Sequence, residues 1–202
     1  MSSPAAPSSW NIANAVTVVR LLLVPVFVTM LLAGDASSNW RLGAFAVFVV
    51  ASLTDRLDGE LARRRGLVTD FGKIADPIAD KALIGSALVA LSAAGEVWWT
   101  ATAVILLREV AVTVLRLVVL RHGVIPASRG GKLKTVLQTV AIGAFLLPYQ
   151  SVLGPLAVAL MAAAVAVTLW TGVDYVVQAT RLRRAAGAVG SALPGGSGQA
   201  LS

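Results

Sequence analysis

Apolar residues occur along this chain in six long runs that are separated by short polar or basic segments. Each run has about the 20 residues that an α-helix needs to cross the hydrocarbon core of a bilayer. The pattern therefore predicts an all-α, polytopic membrane protein with six transmembrane helices. The predicted spans cover residues 15–33, 40–62, 72–94, 98–120, 132–149 and 154–181. A short preceding segment, 10–14, is expected at the membrane interface, with Trp10 at headgroup level.

The two ends of the chain differ from the spans in composition. Residues 1–9 are rich in Ser, Pro and Ala, and residues 185–202 are rich in Ala, Gly and Ser. We expect both ends to be disordered, because they carry few large apolar side chains that folding would bury. Residues 10–184 are expected to form one transmembrane domain. No cationic segment precedes a short apolar core near the start, so a cleaved signal peptide is not expected.

The overall composition agrees with a membrane protein. Of 202 residues, 57% are hydrophobic and only 13% are charged, whereas soluble domains carry roughly a quarter charged residues. Cysteine is absent, which excludes disulfides, thiolate metal sites and cysteine nucleophiles. The formal net charge is +7, and we attribute it to loops that meet anionic lipid. Nucleic acid is not an expected partner, since no basic stretch carries the interleaved aromatic residues on which bases stack.

Positive residues are concentrated at one end of the predicted bundle. They lie in the second-to-third loop, around the fourth-to-fifth loop and after the last span, whereas the other end has little beyond Arg41. Lys and Arg favour the cytoplasmic side of a membrane protein, so both termini are predicted to be cytoplasmic. The absence of organelle targeting favours a bacterial inner membrane. The basic residues are Arg63, Arg64, Arg65, Lys73, Arg121, Arg129, Lys132, Lys134, Arg181, Arg183 and Arg184.

Four aspartates lie at this cytoplasmic end of the second and third spans. Asp55 and Asp58 are three residues apart, and Asp76 and Asp80 are four apart, so each pair shares one helix face. Consecutive antiparallel helices pack side by side, which brings the two faces together. Solvated ion pairs in the headgroup region are the alternative. Like charges packed so closely need a cation to stay ionised, and we therefore predict two divalent ions, Mg²⁺ or Mn²⁺.

The aspartates belong to a longer pattern that resembles the signature of the CDP-alcohol phosphotransferases, D-x2-D-G-x2-A-R-x8-G-x3-D-x3-D. Eight positions over 26 residues keep every spacing. Within that family, the segments 11–25, 107–116 and 131–138 are similar to those of the phosphatidylglycerophosphate synthases. Ala13 departs from their pattern, which usually has Pro there. The signature residues are Asp55, Asp58, Gly59, Ala62, Arg63, Gly72, Asp76 and Asp80.

The resemblance implies a reaction and a set of residue roles. CDP-diacylglycerol and sn-glycerol 3-phosphate would give phosphatidylglycerophosphate and CMP. Asp55, Asp58 and Asp76 would hold one metal ion, Asp55, Asp76 and Asp80 the second, and Asp80 would also be the general base. The resemblance further implies a homodimer. The residues expected to bind CDP-diacylglycerol are Asn14, Thr17, Gly59, Ala62, Arg63, Thr69 and Gly72.

Charged residues inside the fourth span indicate where the acceptor phosphate binds. Arg108 and Arg116 are eight residues apart, about two helical turns, and so face the same way. Arginine is costly inside a membrane, and a dianionic acceptor phosphate would account for it. Lys81 and Arg20 are further candidates. Alternatively, Glu109 pairs with an arginine and joins helices. The predicted acceptor residues are Arg108, Arg116, Arg129, Lys132 and Lys134.

Other functions fit parts of the pattern. Within the family, the acceptor is alternatively an inositol phosphate, or phosphatidylglycerol as in a cardiolipin synthase. A divalent metal transporter would also carry intramembrane aspartates, but here they lie at one interface, with no broken-helix repeat. A purely structural membrane subunit would not account for paired carboxylates.

Overall fold

Six α-helices make up the described part of the chain in the computed structural model. The backbone is described for residues 12–33, 39–65, 70–119, 129–148 and 150–192, and the side chains for 15–33, 39–54, 78–79, 81–115, 130–148 and 152–181. Within these ranges there is no strand, which confirms the all-α class. The helices are α1 (Ile12–Ala33), α2 (Asn39–Arg65), α3 (Asp70–Ala93), α4 (Trp99–Val119), α5 (Arg129–Leu146) and α6 (Gln150–Ala192).

Each helix coincides with one of the six predicted spans. Ala15–Ala33 in α1 and Val152–Arg181 in α6 are long and apolar enough to cross a bilayer by length and composition. Large apolar side chains point outward along the bundle: Leu107 is 70% exposed and Trp170 is 76% exposed. Several charged side chains are instead buried, among them Arg41 and Lys134. Large apolar side chains on the outer surface, together with two helices of membrane-spanning length, indicate a membrane protein.

Most helix ends differ from the predicted ends by a few residues, and two of the differences change a predicted loop or tail. α2 continues to Arg65 and α3 begins at Asp70, so the predicted polar loop 63–71 is shorter than expected. α6 continues to Ala192, past Arg184, where we predicted a disordered tail to begin. Residues 63–65 are three arginines and residues 182–192 contain four alanines and two arginines, and both residue types are among the best helix formers. The predictions for residues 1–9 and Trp10 fall outside the described residues.

A buried apolar cluster joins the helices at the centre of the bundle. α1 packs on α2 and α3, and α6 packs on α4 and α5. The two groups meet where α2 contacts α5 and where α3 contacts α4 and α5. Phe27 of α1 and Phe48 of α2 are almost fully buried, with ring centroids 5.8 Å apart. Small residues such as Ala87 and Ala141 allow the helices to approach closely. The helices α3, α4 and α5 are therefore each packed against at least two other helices.

An ion pair closes one end of the bundle, at the turn between α3 and α4. Gly95 has a φ of 76°, and its neighbour Glu96 donates its backbone N–H to Leu91 O at 3.0 Å, as in a Schellman motif. This turn directs the Glu96 carboxylate to Arg41 of α2, whose Nη1 donates to Oε1 at 2.5 Å. Arg41 Nη2 also donates to Phe145 O in α5, at 2.6 Å. α2, α5 and the turn are thus fastened together there.

Candidate active site

A single carboxylate in the middle of α4 gathers charged groups from three helices. Glu109 Oε2 accepts a hydrogen bond from Lys81 Nζ of α3 at 3.1 Å. Its other oxygen, Oε1, accepts from Arg108 Nη1 at 3.2 Å and from Lys134 Nζ of α5. We call these four residues the Glu109 cluster. Its side chains are 7% (Lys134), 13% (Arg108), 19% (Glu109) and 40% (Lys81) exposed, so the cluster opens towards Lys81.

α6 contributes a hydrogen bond to the same cluster. Arg108 Nη2 donates to Thr171 Oγ1 at 3.0 Å, and the Thr171 hydroxyl donates in turn to Val167 O at 2.8 Å. Gly172 lies beside the arginine stem, since a Cβ there would be 3.3 Å from Arg108 Cγ. The lack of a side chain at Gly172 leaves room for Arg108 to cross towards Thr171. Arg108 is therefore held from both α4 and α6.

A second polar contact continues between α5 and α6. Gln138 lies one helical turn after Lys134, and its Nε2 donates to Thr168 Oγ1 at 3.0 Å. Both side chains are buried, and Thr168 lies one turn before Thr171. The sequence analysis did not single out Thr168, Thr171 or Gln138. A signal for them was present, because isolated polar residues within an apolar span tend to bond between helices.

The Glu109 cluster carries a net positive charge. It combines the three cations Lys81, Arg108 and Lys134 with one carboxylate, so these four described side chains carry a formal charge of +2 together. Positive charge within an apolar bundle is unfavourable unless an anion or water compensates it. The partly exposed amine of Lys81 is the accessible side. Such an arrangement is suited to binding a small dianion such as a phosphate monoester.

The structure distinguishes among the predicted acceptor residues. Arg108 and Lys134 meet at Glu109, together with Lys81. Lys132 is exposed, because two residues of α-helix turn it about 200° away from the buried Lys134. The predicted alternative, in which Glu109 pairs with an arginine, also describes the contact to Arg108. For Arg116 in α4 and Arg129 at the start of α5, the side chains lie outside the described residues.

The aspartates are placed by the backbone of two helices in contact. Asp55 and Asp58 belong to the second half of α2, and Asp76 and Asp80 to the first half of α3. Lys81 of the Glu109 cluster directly follows Asp80 along α3. The four aspartate side chains lie outside the described residues, and the described side chains include no group of three or more potential metal ligands. The metal site therefore stays a prediction.

The residues predicted to bind CDP-diacylglycerol fall on α1, α2 and α3. Thr17 is buried on α1, 3% exposed. Asn14 lies in the first turn of α1, and Thr69 lies outside the described residues altogether. The other members have a described helical backbone only. These are Gly59, Ala62 and Arg63 on α2, and Gly72 on α3.

An apolar groove of about 730 Å³ runs between α4 and α6. Arg108 is the one charged residue among those that line it, so the groove extends from the Glu109 cluster along the outer face of the bundle. A groove of this kind is suited to a hydrocarbon chain whose polar end lies near the cluster. The lining residues are Arg108, Ala111, Val112, Val114, Leu115, Leu169, Gly172, Val173, Val176 and Val177.

Comparison with known proteins assigns this arrangement to a class. The family profile of the CDP-alcohol phosphatidyltransferases matches residues 10–170, which include all six helices in whole or in part. The chain belongs to the CDP-alcohol phosphatidyltransferase family. This confirms the family that the aspartate signature indicated.

Individual relatives narrow the class further. The chain is 55% identical over 172 residues to the "Probable phosphatidylglycerophosphate synthase" of Mycobacterium tuberculosis, covering 85% of this chain and 82% of that protein. It is 38% identical over 180 residues to the "CDP-diacylglycerol--glycerol-3-phosphate 3-phosphatidyltransferase" of Bacillus subtilis, covering 82% of this chain and 93% of that one. A protein of the same name from Haemophilus influenzae is 33% identical over 171 residues, covering 82% and 91%.

Proposed function

We propose that this chain transfers the phosphatidyl group of CDP-diacylglycerol to sn-glycerol 3-phosphate, giving phosphatidylglycerophosphate and CMP for phospholipid biosynthesis. The observation that carries the proposal is the net-positive Glu109 cluster, which follows the aspartate signature directly at Lys81. A donor site and a phosphate-binding site are needed side by side for this transfer. The names of the relatives support the same pair of substrates.

The four aspartates are proposed to hold two divalent ions, Mg²⁺ or Mn²⁺. Asp55, Asp58 and Asp76 would hold the first, and Asp55, Asp76 and Asp80 the second. Carboxylate oxygens are the ligands these hard cations prefer, and α2 and α3 are in contact. When bound, the ions would neutralise charge on the diphosphate of the donor and on the CMP that leaves.

The acceptor phosphate is proposed to bind between Lys81, Arg108 and Lys134. Arg116 and Arg129 would extend this site, and Lys132 would lie at its exposed rim. Because Lys81 follows Asp80, a phosphate held at Lys81 places the glycerol hydroxyls near the Asp80 backbone. Asp80 is the proposed general base that removes the proton from the attacking hydroxyl. The residues proposed to bind CDP-diacylglycerol are Asn14, Thr17, Gly59, Ala62, Arg63, Thr69 and Gly72.

The proposed setting is a cell membrane that all six helices cross. The basic residues then lie at the cytoplasmic side with both termini, where soluble glycerol 3-phosphate and CMP enter and leave. The groove between α4 and α6 would take an acyl chain of the donor or of the product. A homodimer is the proposed assembly.

A panel of acceptors tests the proposed reaction. The purified protein is incubated with labelled CDP-diacylglycerol, Mg²⁺ or Mn²⁺, and glycerol 3-phosphate, inositol phosphate or phosphatidylglycerol. We expect CMP and phosphatidylglycerophosphate with glycerol 3-phosphate only, and no product after chelation of the metal. CMP release with another acceptor alone would reassign the substrate. No CMP with any acceptor would contradict the transferase activity.

A further inference from the structure

We propose that Glu109 is a positioning residue that holds three cations of the acceptor site in place and lowers the positive charge of that site. The inference rests on the proposed function and deepens it, since it concerns the same Glu109 cluster. It differs from the simpler idea that Glu109 only joins helices.

Glu109 divides its two oxygens among three cations. Oε2 binds Lys81, while Oε1 binds Arg108 and Lys134, so each cation has one donor committed to the carboxylate. Both lysines carry three N–H donors and keep two for a ligand. Without the carboxylate, cations from α3, α4 and α5 would repel one another, and the nearly buried Lys134 would have to move towards water. Glu109 therefore holds the phosphate-binding amines in place before the acceptor arrives.

The Glu109 carboxylate lowers the positive charge that an anion meets at the cluster. Three cations and one carboxylate leave two positive charges. A phosphate monoester carries roughly two negative charges near neutral pH, whereas a phosphodiester carries one. With Glu109 neutral, three positive charges would bind small anions more strongly, and dianions most of all, because the Coulomb energy scales with the product of the charges. The carboxylate thus weakens anion binding, which favours product release.

The exposed side of the cluster gives the acceptor its entry. Lys81 is 40% exposed, and Lys134 and Arg108 lie behind it at 7% and 13%. An anion therefore meets Lys81 first and then reaches the deeper cations past Glu109. Repulsion by the Glu109 carboxylate acts at that step. Removal of the carboxylate is therefore expected to increase the affinity for the anion and to decrease turnover.

The test measures anion binding and turnover separately. In the Glu109→Gln variant, the concentration of inorganic phosphate that half-stabilises the purified protein in thermal unfolding is expected to fall about tenfold or more, since one repelling charge near the anion is removed. Its kcat with glycerol 3-phosphate is expected to fall about tenfold, because the amines are no longer held. The Glu109→Asp variant keeps the charge, so its phosphate midpoint stays close to wild type while kcat falls.

A matched control separates this role from general destabilisation. Glu96 is another carboxylate paired with a buried arginine. It precedes α4, and about 15 Å of helix separates the start of α4 from Glu109. Glu96→Gln is expected to leave the phosphate midpoint unchanged. If the Glu109→Gln variant does not fold, Lys81→Gln is tested instead. Because this substitution removes a partly exposed cation, the phosphate midpoint is expected to rise, opposite to the change expected for Glu109→Gln.

Several outcomes overturn the inference. An unchanged or raised phosphate midpoint in Glu109→Gln contradicts it, as does a Glu109→Asp variant that behaves like Glu109→Gln. A midpoint that does not rise in Lys81→Gln contradicts it as well. Failure of the proposed function looks different, because wild-type protein would then make no product from glycerol 3-phosphate while the phosphate midpoints still shift as described.

Discussion

Arg108 Nη2 lies 3.0 Å from Thr171 Oγ1, and this hydrogen bond joins the cation-bearing helix α4 to α6. Arg108 Nη1 is at the same time bound to Glu109. The guanidinium is therefore held from two sides, with its planar fork in a fixed orientation. A phosphate that binds here meets a donor group that is already positioned, which reduces the entropy lost on binding.

Thr171→Val removes the α6 contact and tests this positioning. The variant is expected to lose about 1 kcal/mol of stability, the usual net contribution of such a hydrogen bond. Its KM for glycerol 3-phosphate should rise severalfold, with KM for CDP-diacylglycerol nearly unchanged. Thr180→Val is the control, since Thr180 is exposed on the same helix and bonds only to Val177 O among the contacts described for it. Equal kinetics in both variants would contradict a role for Thr171 in the site.

Lys134 and Lys132 form a matched pair on α5. Lys134 is 6% exposed and contacts Glu109, whereas Lys132 is exposed. Lys134→Met is expected to raise KM for glycerol 3-phosphate about tenfold or more, because a charge-assisted contact to phosphate is lost. Lys132→Met should change it less than twofold or so. Steady-state kinetics with both substrates varied give these KM values. A larger increase in Lys132→Met than in Lys134→Met would contradict the geometry.

Asp76→Asn and Asp80→Asn test the proposed metal site. Each variant replaces a carboxylate by an amide of the same shape, so we expect folded protein with kcat lowered by at least about 10²-fold. Thermal unfolding in detergent checks the fold, and CMP release measures the activity. Asp76 is a proposed metal ligand only, so a higher Mg²⁺ concentration should restore part of the activity of Asp76→Asn. Full activity in both variants would rule out the two-ion site.

Arg116→Ala tests whether the acceptor site extends along α4 beyond Arg108. Two helical turns separate the two arginines on the same side of the helix. The variant is expected to raise the apparent KM for glycerol 3-phosphate more than that for CDP-diacylglycerol. Equal increases for both substrates would remove Arg116 from the acceptor site.

Glu96→Gln tests the other end of the bundle. Arg41 is 5% exposed and its guanidinium also binds Phe145 O, so it cannot leave easily when the carboxylate is gone. Removing one partner of a buried ion pair costs about 3–5 kcal/mol, and less here since Glu96 is 22% exposed. A lower melting temperature with unchanged KM values is expected. Altered KM for the acceptor would show that the two ends are coupled.

Some parts of the site were accessible from residue spacing alone. The positions of Asp76 and Asp80 on one helix follow from their separation of four residues, and α3 does include both. The pairing of Arg108 and Arg116 on one side of α4 follows in the same way. Lys132 and Lys134 were predicted together, however, and the structure separates them because two residues of α-helix turn one of them about 200° away from the other.

The sequence by itself determined the helices, because helix hydrogen bonds are local and a bilayer requires long apolar runs to make all of them. It also determined the aspartate signature, which is a matter of spacing within two consecutive helices. Only the tertiary structure decided that Lys81 and Lys134, which are 28 and 25 residues from Glu109, meet at its carboxylate. Those contacts depend on how α3, α4 and α5 pack, and packing between helices has no periodicity that a single chain reveals.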